Sequence, residues 1–223
     1  MAARDGAKAV VPDTAIADVV IADGGVEELF DAFVAPAAGA ARFEGWSRFE
    51  VDQPIVDDVA SDRLSISSDA TLPGALGSYA FDEVGLAGRR VDCVVDGVFR
   101  ARACDRRTAC WLGLPSTGRW GNTVVAPGHT PMQELLRPGS RPLYLLQRFS
   151  QLSPHATTGA FSGEIRFGYR IERGRRTPVR GGSVSGVVFD AFSRARLSAE
   201  TTVQGRTRGP RAVRLDAVQI TGA

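Results

Sequence analysis

The sequence predicts an α+β domain with a mostly antiparallel sheet system and a few packed helices. Short apolar runs with strand-like character dominate the chain. One amphipathic helix precedes most of them. The strand–helix–strand rhythm that builds a parallel sheet is absent from the sequence. With 223 residues, of which 43% are hydrophobic and 23% charged, the chain can bury a core without a disulfide or a structural metal.

The first predicted elements are a strand and a helix. Ile16 to Ala22 is an apolar run bounded by turn residues, as in a buried strand. Apolar residues at helical spacing follow, at Val26, Leu29, Phe30, Phe33 and Val34. They predict a helix near residues 25–35 that is capped by Asp23 or Gly24, ends at Pro36 and packs its phenylalanines on a sheet.

Strand signals dominate the rest of the chain. Further strands are predicted at Trp46 to Val51, around Leu64 and Ile66, and at Val91 to Val95, Val98 to Ala103, Leu143 to Phe149, Glu164 to Glu172, Pro178 to Val184 and Val213 to Ile220. Asp96-Gly97 is the strongest hairpin signal. Glu164 to Glu172 alternates most regularly, and Arg173-Gly174 turns the chain into its partner strand. Short helices are predicted at Asp105 to Leu112, capped by Asp105, and at Val187 to Arg196.

Charge and composition narrow the function classes. Residues 1–100 carry a formal charge of −10 and residues 101–223 a charge of +12, which favours a partner surface or complementarity between the two halves. Nucleic-acid binding is not expected, because no aromatic residue is interleaved in the arginine clusters for base stacking. The sequence contains no membrane-length apolar stretch and no signal-peptide core, so a cytoplasmic protein is expected. Cys93, Cys104 and Cys110 are expected to be reduced, buried small residues.

The residue types indicate no catalytic or metal site in this chain. Zinc hydrolysis on a helix needs two histidines one turn apart and a glutamate base. The only histidines, His129 and His155, are 26 residues apart. No serine stands in a G-x-S-x-G motif, and no phosphate-binding glycine loop is present. An independent hydrolase that uses His155 with a nearby acid or serine stays open as an alternative.

Three stretches resemble the TldD/PmbA family. Pro154 to Asp190, read as PHATTGAFSGEIRFGYRIERGRRTPVRGGSVSGVVFD, resembles a family block that begins N-P-x-T-G-x-F-S. The matching positions are Thr158, Gly159, Phe161, Ser162, Gly168, Ile171, Glu172, Gly174, Pro178, Val179 and Gly186. A second tract, from Phe81 to Gly118, matches at Gly97, Val98, Asp105, Thr108, Ala109, Gly113, Ser116, Thr117 and Gly118. The closing RLDAVQITGA resembles the family's last strand.

The resemblance implies a role within a two-subunit peptidase. The family's TldD subunit carries an HExxxH helix and a C-terminal cysteine as zinc ligands, and neither is matched here, since Thr201 to Arg211 contains no cysteine. Residues 1–223 therefore resemble the C-terminal domain of a TldE/PmbA-type subunit, without the family's N-terminal domain. Such a subunit is implied to be non-catalytic and free of a cofactor. It would join a TldD-like, zinc-bearing HExxxH partner in a heterodimer that degrades small or unfolded peptides. The alternative is a stand-alone binding or scaffold module without a proteolytic role.

The most family-specific stretch is the candidate peptide site. The predicted substrate-binding residues are His155, Thr157, Thr158, Gly159, Phe161, Ser162 and Gly163. Glycines there would let a second backbone approach. The segment from Thr157 to Ile171 could then present a backbone edge to an extended peptide. The alternative is that this hairpin is an internal pair of strands whose loop only turns the chain.

Overall fold

Two sheets and several short helices form the structure, a computed structural model that describes residues 5–222. The strands are β1 (Ala15–Ala22), β2 (Ile66–Asp69), β3 (Arg90–Val95), β4 (Val98–Phe99), β5 (Asn122–Val125), β6 (Leu143–Pro154), β7 (Ala160–Glu172), β8 (Arg175–Val179), β9 (Ser183–Val187), β10 (Arg196–Leu197), β11 (Thr201–Gln204), β12 (Thr207–Pro210) and β13 (Ala212–Thr221). The helices are α1 (Val26–Ala37), α2 (Gly39–Phe43), α3 (Arg106–Leu112), α4 (Met132–Leu135) and α5 (Val188–Phe192).

The larger sheet closes on itself. Its order is β1-β6-β7-β9-β13, and β13 pairs back onto β1, while β8 and β10 add to β7 and β13. The second sheet has the order β11-β12-β5-β2-β3-β4. The prediction of a sheet-rich domain with few helices is confirmed. The antiparallel arrangement is confirmed only in part, because β1–β6 and β12–β5 are parallel pairs.

Helix α1 packs its phenylalanines into the main core, as its spacing predicts. Phe30 and Phe33 are buried, and both rings pack edge-on against Phe192 of α5. The start differs from the prediction, since a 3-10 turn precedes α1 and no side chain caps it. Pro36 lies in the last turn rather than after it. The helix ends one residue later because Ala38 is extended, and a proline so near the end removes only one helical hydrogen bond.

Two local predictions hold in detail. Asp96 and Gly97 both adopt positive φ, of 49° and 79°, as a tight primed hairpin turn between β3 and β4 requires. Asp105 caps α3, because its carboxylate accepts a hydrogen bond of 2.8 Å from the Thr108 backbone N–H. These features depend on neighbours in sequence, which is why the chain reveals them directly.

The strand predicted at Trp46 to Val51 does not form. This segment has no strand partner, and it is held by polar contacts instead. The Ser47 hydroxyl donates to the Pro36 carbonyl, and the Arg102 guanidinium donates to the Phe49 carbonyl. An apolar run with strand propensity becomes a strand only where another strand offers backbone groups to pair with.

The segment after β7 divides differently from the prediction. β8 begins directly after the Arg173-Gly174 turn and ends at Val179. Gly181 and Gly182 then adopt positive φ, which interrupts the predicted strand and starts β9 separately. The helix predicted at Val187 to Arg196 shrinks to α5, because its first residue ends β9 and its last begins β10.

The three cysteines differ in exposure. Cys93 and Cys104 are buried as predicted, but Cys110 is exposed on α3, so the prediction is wrong for that residue. Burial raises the pKa of the Cys93 thiol to about 12.

Among residues 5–222, no helix combines the length and apolar character that crossing a membrane would need.

Candidate functional site

A large cleft lies beside α5, where the pairing of β9 with β13 ends. Its volume is about 820 Å³, within the range of ordinary ligand sites. The loop between β6 and β7 contributes Thr158, the β9–α5 junction contributes Ser185 to Val187 and Phe189, and β13 contributes Asp216 to Gln219. The remaining walls come from residues 55–58, Arg48, Ile16 and the end of α5.

The backbone pairing of β9 with β13 ends inside this cleft. They pair from Ser183 opposite Thr221 to Ser185 opposite Gln219, and there the pairing ends. β1 occupies the other side of β13 through this region, so the strand has one side left for a partner. β10 takes that side again only at Val213–Arg214. Within the described part of the chain, residues 186–187 of β9 have no strand partner on the side away from β7. Residues 215–218 of β13 have none on the side away from β1.

A β-bulge in β13 lies beside the end of this pairing. β1 places one residue, Asp18, opposite two residues of β13, Asp216 and Ala217. Ala217 has a φ of 58°, in the left-handed region, and a bulge is a place where one residue departs from extended geometry. Its N–H donates to Asp18 Oδ1 at 3.2 Å. A bulge bends its strand and increases the local twist, and the β9–β13 pairing ends beside it.

Buried charge supports the bulge. The Arg214 guanidinium is buried and donates to Asp18 Oδ2 at 2.8 Å and to Asp216 Oδ1 at 2.8 Å. It also donates to the Leu135 and Arg137 carbonyls. Because every contact is a charge-assisted hydrogen bond, the network sets the position of β13 beside the cleft.

The predicted site loop borders the cleft through one residue. Thr158 lines it, whereas His155 and Thr157 are exposed outside it. His155 organises the loop, because its Nδ1 accepts hydrogen bonds from the Thr157 and Thr158 backbone N–H groups at 3.3 and 3.2 Å. That role requires an unprotonated Nδ1.

Gly159 joins the loop to the cleft wall. Its φ is +72°, and a Cβ built there would lie 2.3 Å from the Phe189 ring. Its carbonyl accepts a hydrogen bond of 2.7 Å from the Val188 N–H at the start of α5. The glycine therefore allows close contact with α5 of the same chain.

The remaining predicted residues lie within the sheet, so β7 itself offers no free backbone edge along the segment from Thr157 to Ile171. Phe161 and Gly163 are buried and Ser162 is exposed. All three pair with β6 on one side and with β9 on the other. Farther along, β8 replaces β9 on the second side of β7. A strand paired on both sides has no backbone edge left for a peptide.

The charges around the cleft are of both signs. Arg48 stacks on the Phe189 ring, 3.9 Å from its centroid. Arg194 also lines the cleft, and its acids are Asp57, Asp58, Asp190 and Asp216. Backbone edges flanked by mixed, mostly exposed charges suit an extended polar chain better than a single small anion.

A metal centre is not assembled in the described residues. Across residues 5–222, no three His, Cys, Asp or Glu side chains are placed to hold one ion. His129 and His155 are both exposed, on separate loops.

Sequence reasoning missed the β9–α5 junction and the β13 bulge. Gly186 carries a partial signal, since a glycine in a strand often marks a close approach, and its position faces the Phe161 ring. Ala217 carries none, because alanine rarely takes positive φ.

Comparisons with known proteins agree on one family. The model of the PmbA/TldA metallopeptidase C-terminal domain matches residues 14–222. A metalloprotease of Methanocaldococcus jannaschii is 28% identical over 146 residues, which are 59% of this chain and 32% of that protein. A zinc metalloprotease TldD homolog of Saccharolobus solfataricus is 28% identical over 120 residues, which are 48% of this chain and 27% of that protein.

A solved structure shares the fold. TldE from Thermococcus kodakarensis superimposes with a TM-score of 0.79 at 18% identity, covering 95% of this chain and 51% of TldE. The chain thus spans about half the length of that structure and about a third of the metalloproteases it matches. The sequence resemblance to the TldD/PmbA family is confirmed, and the chain belongs to the PmbA/TldA metallopeptidase C-terminal domain family.

Proposed function

We propose that this chain is a non-catalytic, peptide-holding subunit of a TldD/TldE-type zinc peptidase that acts on small or unfolded peptides. The observation that carries the proposal is the cleft at which the pairing of β9 with β13 ends. Strand backbone without a partner can accept an extended peptide by main-chain hydrogen bonds, and such pairing depends little on peptide sequence. The edge thus lies at β9 and β13 rather than at β7, and Thr158 lies at its border.

The chemistry is assigned to a partner subunit. The sequence holds only two histidines, 26 residues apart, and no HExxxH motif, which favours a catalytic zinc in another subunit. A relative bears the name zinc metalloprotease TldD homolog. In the proposed complex, a TldD-like subunit carries the zinc, and this chain binds and orients the peptide beside it.

The uneven charge of the chain suits association with such a partner. The N-terminal 100 residues are acidic and the remainder is basic. Complementary surface charge speeds docking and selects partners, and its contribution decreases as salt rises.

Co-expression tests the assignment to a complex. The chain is expressed with and without an HExxxH subunit of the same family, and co-purification, zinc content and cleavage of an unfolded peptide are measured. We expect a complex that weakens at high salt and cleaves the peptide, and a lone chain that holds no stoichiometric zinc. One tightly bound zinc in the lone chain, lost on His155→Ala, would contradict the proposal. Failure to co-purify at any salt concentration would favour the stand-alone binding module.

A matched pair of substitutions tests the cleft itself. Ser185 lines the cleft, whereas Ser183 lies on the same face of β9 two residues away and does not. In the assembled complex, Ser185→Tyr is expected to weaken binding of a fluorescent unfolded peptide about tenfold, measured by anisotropy, a change of about 1.4 kcal/mol. Ser183→Tyr is the control. Equal peptide affinities for the two variants would show that the peptide does not bind in this cleft.

A further inference from the structure

A second cavity shares no lining residue with the cleft between β9 and β13. Its volume is about 450 Å³, enough for one amino-acid side chain with part of its backbone. It is lined by Arg42, Glu50, Val51, Arg100, Ala101, Arg102, Cys104, Leu112, Leu114, Pro115 and Thr117. Helices α2 and α3 and the irregular segment before β2 therefore meet around it.

Exposed apolar side chains are concentrated at this cavity. Val51 and Leu114 line it, yet they are 52% and 41% exposed. Beside its lining residues on α2 and α3, Phe43 and Trp111 are each 50% exposed and stack on one another at 4.4 Å. Apolar surface grouped around a concavity is typical of a binding site, whereas scattered exposed residues are not.

An arginine without an acidic hydrogen-bond partner is buried at the same cavity. Arg102 is only 7% exposed. Its guanidinium donates to the carbonyls of Pro36 and Phe49 and to the Ser47 hydroxyl, all neutral groups. These contacts use three of its five N–H donors.

Among the described residues, the other charges at the cavity form no ion pair with this arginine. Arg42 pairs with Glu50, and Arg100 pairs with Asp52, both at 2.6 Å. Glu50 is the one carboxylate among the lining residues, and it is already paired. Burial lowers the pKa of Arg102, the neighbouring Arg42 lowers it further, and Glu50 acts in the opposite direction. A buried cation in this setting gains from an incoming anion.

We propose that this cavity binds an organic carboxylate carried on an apolar body. The carboxylate accepts charge-assisted hydrogen bonds from Arg102 and Arg42, and the apolar body lies against Val51, Leu112 and Leu114. Two sources share this chemistry, namely the C-terminal residue of a peptide with an apolar side chain and a short aliphatic acid.

Calorimetric titration of the whole chain tests the proposal and separates the sources. The probes are N-acetyl-L-phenylalanine, its C-terminal amide and octanoate. Saturable binding of an acid is expected, with the amide at least about tenfold weaker because it lacks the charge-assisted contact. Stronger binding of the phenylalanine acid assigns the site to peptide C-termini, and stronger binding of octanoate assigns it to aliphatic acids. Absence of saturable binding by both acids, or equal binding of acid and amide, overturns the proposal.

Substitutions place the binding at this cavity. Leu114→Asp puts a negative charge at the exposed wall, and it is expected to reduce acid binding at least about tenfold through like-charge repulsion. Arg42→Gln removes a cation from the rim and is expected to weaken binding of the acid but not of the amide. Arg106→Gln is the control, because Arg106 is an exposed arginine of α3 that does not line the cavity. Unchanged acid affinity in Leu114→Asp, with its fold verified by circular dichroism, overturns the proposal.

Discussion

Replacement of Gly159 by alanine tests the contact that joins the β6–β7 loop to the cleft wall. Gly159 has a φ of +72°, and its Cβ would lie 2.3 Å from Phe189 Cδ2. Gly174, in the turn after β7, has a φ of +77° and nothing within 4 Å of its Cβ position. Both glycines therefore have the same backbone conformation at the two ends of β7, and only one is crowded.

The expected loss of stability combines backbone terms that are common to both glycines with a steric term at Gly159 alone. An alanine in the left-handed region costs about 1–2 kcal/mol of stability, and this term applies to both positions. The loss of unfolded-chain entropy on replacing glycine, about 0.4–1 kcal/mol, is also common to both. Forcing a methyl group into the Phe189 ring adds about 1–3 kcal/mol at Gly159 alone. Gly159→Ala should therefore destabilise the fold by that additional amount relative to Gly174→Ala.

Urea unfolding followed by circular dichroism measures the difference. A double variant with Phe189→Leu tests its origin, since a smaller side chain leaves room for the methyl group and should recover part of the loss. Equal unfolding free energies for Gly159→Ala and Gly174→Ala would refute the reasoning. So would strict additivity of the Gly159 and Phe189 substitutions.

Three further predictions concern the core, the pH dependence and thiol reactivity. Phe33→Ala should lower the unfolding free energy by about 3–5 kcal/mol, because the ring is fully buried; half-exposed Phe43→Ala should lose much less in the same urea assay. Burial and the neighbouring carboxylates raise the pKa of Glu28 above its ordinary 4.5, so its ionisation destabilises the fold as pH rises. Glu28→Gln should then stabilise the chain near neutral pH, and urea midpoints should show no gain below pH 4.5. Iodoacetamide should label exposed Cys110 before unfolding, whereas labelling of Cys93 at the same rate would contradict its burial.

The network around Asp18 links the stability of the sheet to the shape of the cleft. Its carboxylate holds the Ala217 N–H, Arg214 and Arg141 together. Ala217 must keep a positive φ for the bulge to persist. Asp18, Arg214 and Arg141 do not line the cleft, yet they hold Asp216 and Ala217, which do.

The sequence by itself determined the features that depend on neighbours along the chain. The spacing of Phe30 and Phe33 identified the buried face of α1, and Asp96-Gly97 identified the β3–β4 turn. The cap of α3 and the alternation of β7 were equally readable. The order of the family motifs identified the family over most of the chain, since residues 14–222 match its model. Each of these depends on helix or strand periodicity, turn chemistry or motif order, which a single chain displays directly.

Only the tertiary structure decided where an unpaired strand edge remains. Ala15 pairs with Ile220, so the first and last strands close the sheet across almost the whole chain. β7 lies between β6 on one side and β9 and β8 on the other, and the β9–β13 pairing ends beside the Ala217 bulge. The segment at Trp46 to Val51 has no strand partner. Strand propensity describes one chain segment, whereas a sheet edge exists only relative to the strands that have already found partners.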